Sequence, residues 1–245
     1  MAIEASLADW KGRARSISLQ VSDSSPLLSA EREDRKAADQ YRLVRTKIVQ
    51  HPRNPSIVVV SSPGTGDGKT VTAVNLAAAL ALSSEEKVLL LDADFHRSMV
   101  HAYLGISEVP GLAEVLAGTS PFENALLCVR QLPNLYVLPA GESNIHPTEL
   151  LASPCWRAFT CRIQQHFRRV IVDCPPVEAV ADYDLITAVC DGVFLVVRPD
   201  HTDRRLCFSA LKTIGEKLLG VIINDLKDWF LWKDHRSFYL HDQRG

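Results

Sequence analysis

The sequence lacks the features of a membrane-spanning, nucleic-acid-binding or disulfide-stapled chain. No apolar stretch approaches the roughly 20 residues that a bilayer span requires. The longest, near Ala73–Leu82, is interrupted by Asn75. The first residues include Glu4, Asp9 and Trp10 rather than the basic-then-apolar order of a signal peptide. Positive charge is not in excess: 27 Lys and Arg stand against 29 Asp and Glu, which argues against a nucleic-acid partner. The basic pairs Arg168-Arg169 and Arg204-Arg205 are short and are read as solvated surface. The cysteines, Cys128, Cys155, Cys161, Cys174, Cys190 and Cys207, form no C-x-x-C pair and mostly lie in apolar surroundings. They are read as buried thiols of a reducing cytosol. Tyrosine is also sparse. Of Tyr41, Tyr103, Tyr136, Tyr183 and Tyr239, only the last lies in the tail after Lys227.

What remains is a chain of 245 residues, 47% hydrophobic and 23% charged, which excludes a disordered, collagen-like or coiled-coil protein. Residues 1–30 are the least globular part, and Ser22–Pro26 reads as a flexible tether. A helical pattern occupies Glu31–Ile48, closed by His51-Pro52 and Asn54-Pro55. From there apolar runs alternate with helical patterns. Strands are expected at Ile57–Val60, Val88–Leu91, Leu135–Leu138, Val170–Val172, Val193–Val197 and Val221–Ile223. Helices are expected at Val71–Leu82, Cys155–Phe167, Tyr183–Val189 and Arg204–Leu218. This order implies an α/β domain over residues 31–226, with a mostly parallel central sheet flanked by helices on both faces. Residues 227–245 form an aromatic and charged tail, docked or free for interaction.

The sharpest signal is Pro63-Gly64-Thr65-Gly66-Asp67-Gly68-Lys69-Thr70, between the strand at Ile57–Val60 and the helix at Val71–Leu82. That junction is what a phosphate-binding loop requires. Glycines let backbone N–H groups turn toward phosphate oxygens, and the helix N-terminus adds its positive end. Lys69 is positioned for the β- and γ-phosphates, and Thr70 for Mg²⁺. The general pattern G-x-x-x-x-G-K-[ST] has Gly where this chain has Pro63. Nucleotide-binding residues are therefore expected from Gly64 through Val71, namely Gly64, Thr65, Gly66, Asp67, Gly68, Lys69, Thr70 and Val71.

Two apolar strands end in acids, Val88–Leu91 in Asp92-Ala93-Asp94 and Val170–Val172 in Asp173-Cys174-Pro175-Pro176. Ligands of a parallel sheet bind beyond its carboxyl edge, so Asp92, Asp94 and Asp173 should converge on the loop. One carboxylate can hold Mg²⁺, with Thr70, Asp92 and Asp173 as the candidate set, and another can accept a hydroxyl proton. Taken singly, an Asp after a strand is often only a helix cap.

These motifs in this order resemble the cytoplasmic catalytic domain of the bacterial tyrosine kinases of capsule and exopolysaccharide systems. The wider likeness is to MinD/ParA-type ATPases. The resemblance spans residues 35–226 and includes Tyr41–Arg45, Asn75–Ala77, Pro110–Leu112, Leu138–Gly141, Pro147–Leu151, Asp191–Val193 and Gly220–Asn224. It implies ATP and Mg²⁺, with Lys69, Asp92, Asp94 and Asp173 as catalytic residues and Asn224 on the adenine side. It also implies a membrane activator or polysaccharide co-polymerase as partner, placing the chain at the inner face of the membrane.

The chain departs from that family in four places. His96 stands where the family has Arg, with Arg97 one residue later, and a neutral imidazole does not replace a guanidinium fork. Thr65 and Asp67 stand where Pro and Glu are usual, and the terminal tyrosine cluster is missing. The family's Glu-x-x-Arg-x-x-Arg, linked to ring assembly, reads Asp39, Arg42 and Arg45 here. These residues either reach a neighbouring subunit or pair within the helix. Three functions stay open at this level: a tyrosine kinase, an ATPase switch and a degenerate nucleotide-binding scaffold. ParA-like DNA binding has only the short basic pairs behind it.

Overall fold

The computed structural model describes residues 14–19, 35–82, 86–106, 110–178 and 181–225. Its strands are β1 (Arg15–Ile17), β2 (Ile57–Ser61), β3 (Val88–Asp92), β4 (Leu127–Val129), β5 (Leu135–Leu138), β6 (Arg169–Asp173), β7 (Gly192–Val197) and β8 (Leu218–Ile223). The helices are α1 (Arg35–Val49), α2 (Lys69–Ala81), α3 (Val100–Leu104), α4 (Leu112–Ala117), α5 (Phe122–Ala125), α6 (Pro147–Ala152), α7 (Pro154–His166), α8 (Asp182–Thr187) and α9 (Arg204–Ile214). The strand order is β1-β4-β5-β3-β6-β2-β7-β8, parallel from β5 to β8, with β4 antiparallel to β5.

The expected α/β class is thus realised, and the sequence explains why. The central strands β2, β3 and β6 are buried at every position, as parallel strands covered by helices on both faces must be. Successive side chains alternate between two cores. Ile57, Val59, Leu89 and Leu91 join Phe159 and Ile163 of α7 on one face. Val58, Val60, Val88 and Leu90 join Val74, Leu76 and Ala77 of α2 on the other. Each such side chain, fully withdrawn from water, contributes about 1.5–3 kcal/mol. The alanines of α2 let it lie close to the sheet beneath α1.

Several boundaries differ from the sequence expectation. Arg15–Ile17, inside the stretch read as flexible, form an edge strand parallel to β4. The segment read as one helix over Arg204–Leu218 stops at Ile214, because Gly215 takes φ 54° and turns the chain. Leu218 then opens β8 rather than closing the helix. Arg169 is not solvated surface. It is 5% exposed and donates to the Pro55 carbonyl (2.8 Å) and to Asn54 Oδ1 (2.8 Å). All six cysteines are free, but only Cys174 and Cys190 are buried, and Cys161 is exposed. Among the described residues no helix is long and apolar enough to cross a membrane. The tail 227–245 with Tyr239, and the Ser22–Pro26 tether, lie outside the described residues.

One close approach frames the site. Glu114 accepts from the N–H of Gly111 (2.8 Å) and of Glu142 (3.1 Å), tying the start of α4 to the loop after β5. A Cβ on Gly111 would meet the Gly141 nitrogen and the Pro139 carbonyl, both rigid backbone. Gly111→Ala is therefore expected to cost about 1–3 kcal/mol in urea unfolding. A variant as stable as the parent would show that the two loops can separate freely.

Candidate active site

The topology decides where the chemistry gathers. β6 lies between β2 and β3, so the carboxyl ends of these three strands are neighbours. The phosphate loop leaves β2, Asp92 ends β3 and Asp173 ends β6. Asp92 and Asp173 are partners in the parallel register, which points their side chains to one face, a strand spacing apart.

The loop turns on two left-handed glycines, Gly66 (φ 87°) and Gly68 (φ 91°). Gly68 opens α2 and has a second constraint, because a Cβ there would collide with the Asn224 amide. That amide donates to the Asp67 carbonyl (2.9 Å). The Asp67 side chain is buried and faces inward, accepting from the Gly64 N–H (3.2 Å) and the Thr202 hydroxyl (2.6 Å). Asp67 thus staples the loop, and its side chain does not face the cavity. His201 also reaches the loop, with Nε2 3.1 Å from the Thr65 carbonyl oxygen.

Lys69 Nζ donates to Asp94 Oδ2 (2.6 Å) and stands 3.7 Å from Asp173 Oδ1. The three expected acids therefore do converge on the loop lysine. Their environments differ. Asp92 accepts from the N–H groups of Asp94 (3.1 Å) and Val100 (3.2 Å), so it also caps α3. Asp94 accepts from the Arg97 N–H (3.0 Å) through its other oxygen. Asp173 is wholly buried, and neither of its oxygens has a hydrogen bond. Burial, and then the charge of Asp173, push the Asp92 carboxyl up to about 8. Burial pushes Asp173 up to about 6 against the opposing pull of Lys69. Burial alone would lower the Lys69 ammonium, but Asp173 and Asp94 outweigh it and hold Lys69 above its ordinary value.

The donor set fits a magnesium ion. A buried carboxylate with two idle oxygens wants a cation or its waters, and the Thr70 hydroxyl sits beside Lys69 Nζ at 3.5 Å. Among the described residues no three His, Cys, Asp or Glu side chains cluster tightly enough to hold a metal unaided. That also suits Mg²⁺, which takes one or two carboxylates and fills its shell with water and phosphate.

A cavity of about 320 Å³ opens over the loop, floored by Lys69, Thr70 and Asp94. Arg97, Met99 and Tyr103 form its far wall. Arg97 therefore reaches the loop, whereas His96 turns away to a buried acid, Nε2 lying 2.8 Å from Asp182 Oδ2. Sequence reading missed Tyr103, His201, Thr202 and Asp182. The residues after β7 had one available signal, since β7 also ends on the site's edge of the sheet.

The motif geometry is shared with known proteins. Residues 58–240 match the CobQ/CobB/MinD/ParA nucleotide binding domain. Tyrosine-protein kinase YwqD of Bacillus subtilis is 35% identical over 195 residues, covering 78% of this chain and 81% of that protein. The chain belongs to the bacterial tyrosine kinase family. Tyrosine-protein kinase ptk of Acinetobacter johnsonii is 32% identical over 82% of this family member, which spans only 28% of that longer chain. The kinase domain of the Escherichia coli tyrosine kinase ETK superposes with a TM-score of 0.72 at 27% identity, covering 81% of this chain and 79% of that one. The septum site-determining protein MinD of Pyrococcus horikoshii, complexed with Mg-ADP, gives a TM-score of 0.54 at 27% identity over 69% of each chain. Against these relatives, this kinase-family chain keeps a P-loop NTPase fold and a nucleotide loop.

Proposed function

We propose that this chain transfers the γ-phosphate of ATP to tyrosine hydroxyls and serves exopolysaccharide or capsule synthesis at the inner face of the membrane. The observation that carries the proposal is the convergence of Lys69 on Asp94 and Asp173 at the mouth of the phosphate loop. Backbone N–H groups of Gly64–Val71 cradle the phosphates, and Lys69 moves from Asp94 to the β- and γ-oxygens. Mg²⁺, held by Thr70, Asp92 and Asp173, neutralises charge on the phosphates when bound. Arg97 stands across the cavity from Lys69, so two cations face the transferring group. Asn224, fixed to Asp67, lies where the adenine side is expected.

A membrane co-polymerase supplies the activating contact in this reading. Self-assembly runs through α1. There Asp39 and Arg42 are paired at 2.6 Å but both remain largely exposed, so this bond adds little stability and leaves the charges accessible. One observation favours a second reading, an ATPase switch: the tail offers a single tyrosine, Tyr239.

The fate of the label from γ-³²P-ATP separates the two. The kinase reading expects label on protein tyrosine when Mg²⁺ and a co-polymerase fragment are present. Label appearing only as inorganic phosphate, with nucleotide-dependent assembly, would establish the switch.

A further inference from the structure

Beside the phosphate-loop cavity lies a larger one of about 680 Å³, whose lining includes Phe95, His96, Arg97, His101, Glu114 and Glu142. The two meet at Arg97, which lines both. His96 stands in this second cavity with a partner behind it. Its Nε2 lies 2.8 Å from Asp182 Oδ2, and Asp182 is 1% exposed. The other oxygen of Asp182 accepts from the Thr148 hydroxyl (2.7 Å). Both oxygens act as acceptors, so Nε2 of His96 carries the hydrogen and Nδ1 keeps its lone pair. Among the described residues Nδ1 has no hydrogen bond.

A buried aspartate, an imidazole held in one tautomer and a free ring nitrogen facing a cavity form the arrangement that draws a proton from a hydroxyl. The carboxylates at the loop are less available for that task. Both oxygens of Asp92 accept backbone hydrogens, and both oxygens of Asp94 are engaged, one by Lys69. Asp173 faces Lys69 in a fully buried position.

We propose that the His96–Asp182 pair is the general base of this chain, receiving the proton of the acceptor hydroxyl from the second cavity. The inference rests on the kinase reading. The step balances: the acceptor O–H bond breaks, its proton goes to His96 Nδ1, and the oxygen bonds to the γ-phosphorus. The bond from that phosphorus to the bridging oxygen of ADP breaks. Asp182 stabilises the imidazolium, which returns its proton to water through the open side of the cavity. The sequence change from Arg to His at this position is then a change of chemistry, from a fixed cation to a proton acceptor.

The test uses the full chain with ATP, Mg²⁺ and a glutamate–tyrosine copolymer as acceptor, nucleotide affinity being measured separately to show that each variant folds. His96→Ala is expected to lower phosphotyrosine formation by about a hundredfold or more. Added imidazole should restore part of it. Asp182→Asn should lower it too, through the wrong tautomer. His96→Arg should stay low, since a guanidinium can pair with Asp182 but cannot accept a proton. Full transfer by His96→Ala, or rescue by His96→Arg but not by imidazole, would overturn the proposal and leave the kinase reading standing. No phosphotyrosine from the parent protein, despite ATP turnover, would instead remove the kinase reading and the base with it.

Discussion

Lys69→Ala is expected to abolish function, lowering phosphate turnover by at least about a hundredfold. Two losses combine. The first is the charge that stabilises the β- and γ-phosphates as the bond breaks. The second concerns the acids. Lys69 is 2.6 Å from Asp94 and 3.7 Å from Asp173, and it opposes the upward push that burial exerts on Asp173. Without it, buried carboxyls face one another across β3 and β6 with no cation between them, and they hold their protons more firmly. A protonated carboxyl is a poor magnesium ligand, so metal affinity should fall together with turnover. Lys69→Arg keeps the charge but not the compact point donor, and should recover little. Titration with Mg²⁺ and ADP, together with a phosphate-release assay, checks both parts. Turnover within tenfold of the parent would mean that Lys69 is only a structural counter-ion.

The second large effect is in pH. Asp92 and Asp173 hold their protons more tightly in the folded protein, up to about 8 and about 6, than carboxyls of ordinary value 3.8 do. A proton bound preferentially by the native state stabilises it fully below the unfolded value. That contribution is lost as pH rises through the folded values. The nucleotide-free protein should therefore lose melting temperature between about pH 5 and pH 9, steepest where Asp173 and then Asp92 ionise. Asp92→Asn should flatten the upper part of the curve. Magnesium with ADP should act in the opposite sense, stabilising more as pH rises, because it draws on the ionised carboxylates. A melting temperature equally pH-dependent in parent and Asp92→Asn would contradict this.

Much of the site was legible in the sequence because a parallel sheet writes its function at strand ends. β2, β3 and β6 are built on apolar runs, and the residues at the carboxyl end of each run carry the chemistry: the loop, Asp92 with Asp94, and Asp173. The register that makes Asp92 and Asp173 neighbours comes from β6 lying between β2 and β3, which the order of motifs implied. Other features had no local signature. β1 and β4 are three residues each, too short for any periodicity to show. The inward turn of Asp67 depends on Thr202, and the turn of His96 depends on Asp182, each partner lying far along the chain. The burial of Arg169 depends on two acceptors offered by the loop before β2, and no charge count reveals them.

The central claim is that the loop lysine and the strand-end acids form one phosphoryl-transfer site acting on tyrosine. Mass spectrometry of the full chain after incubation with ATP, Mg²⁺ and a co-polymerase fragment tests it most directly, comparing the parent with Asp92→Ala. The account predicts phosphotyrosine on the chain or its partner with the parent and none with the variant. Equal phosphotyrosine in both, or none in either while ATP is consumed, would contradict it.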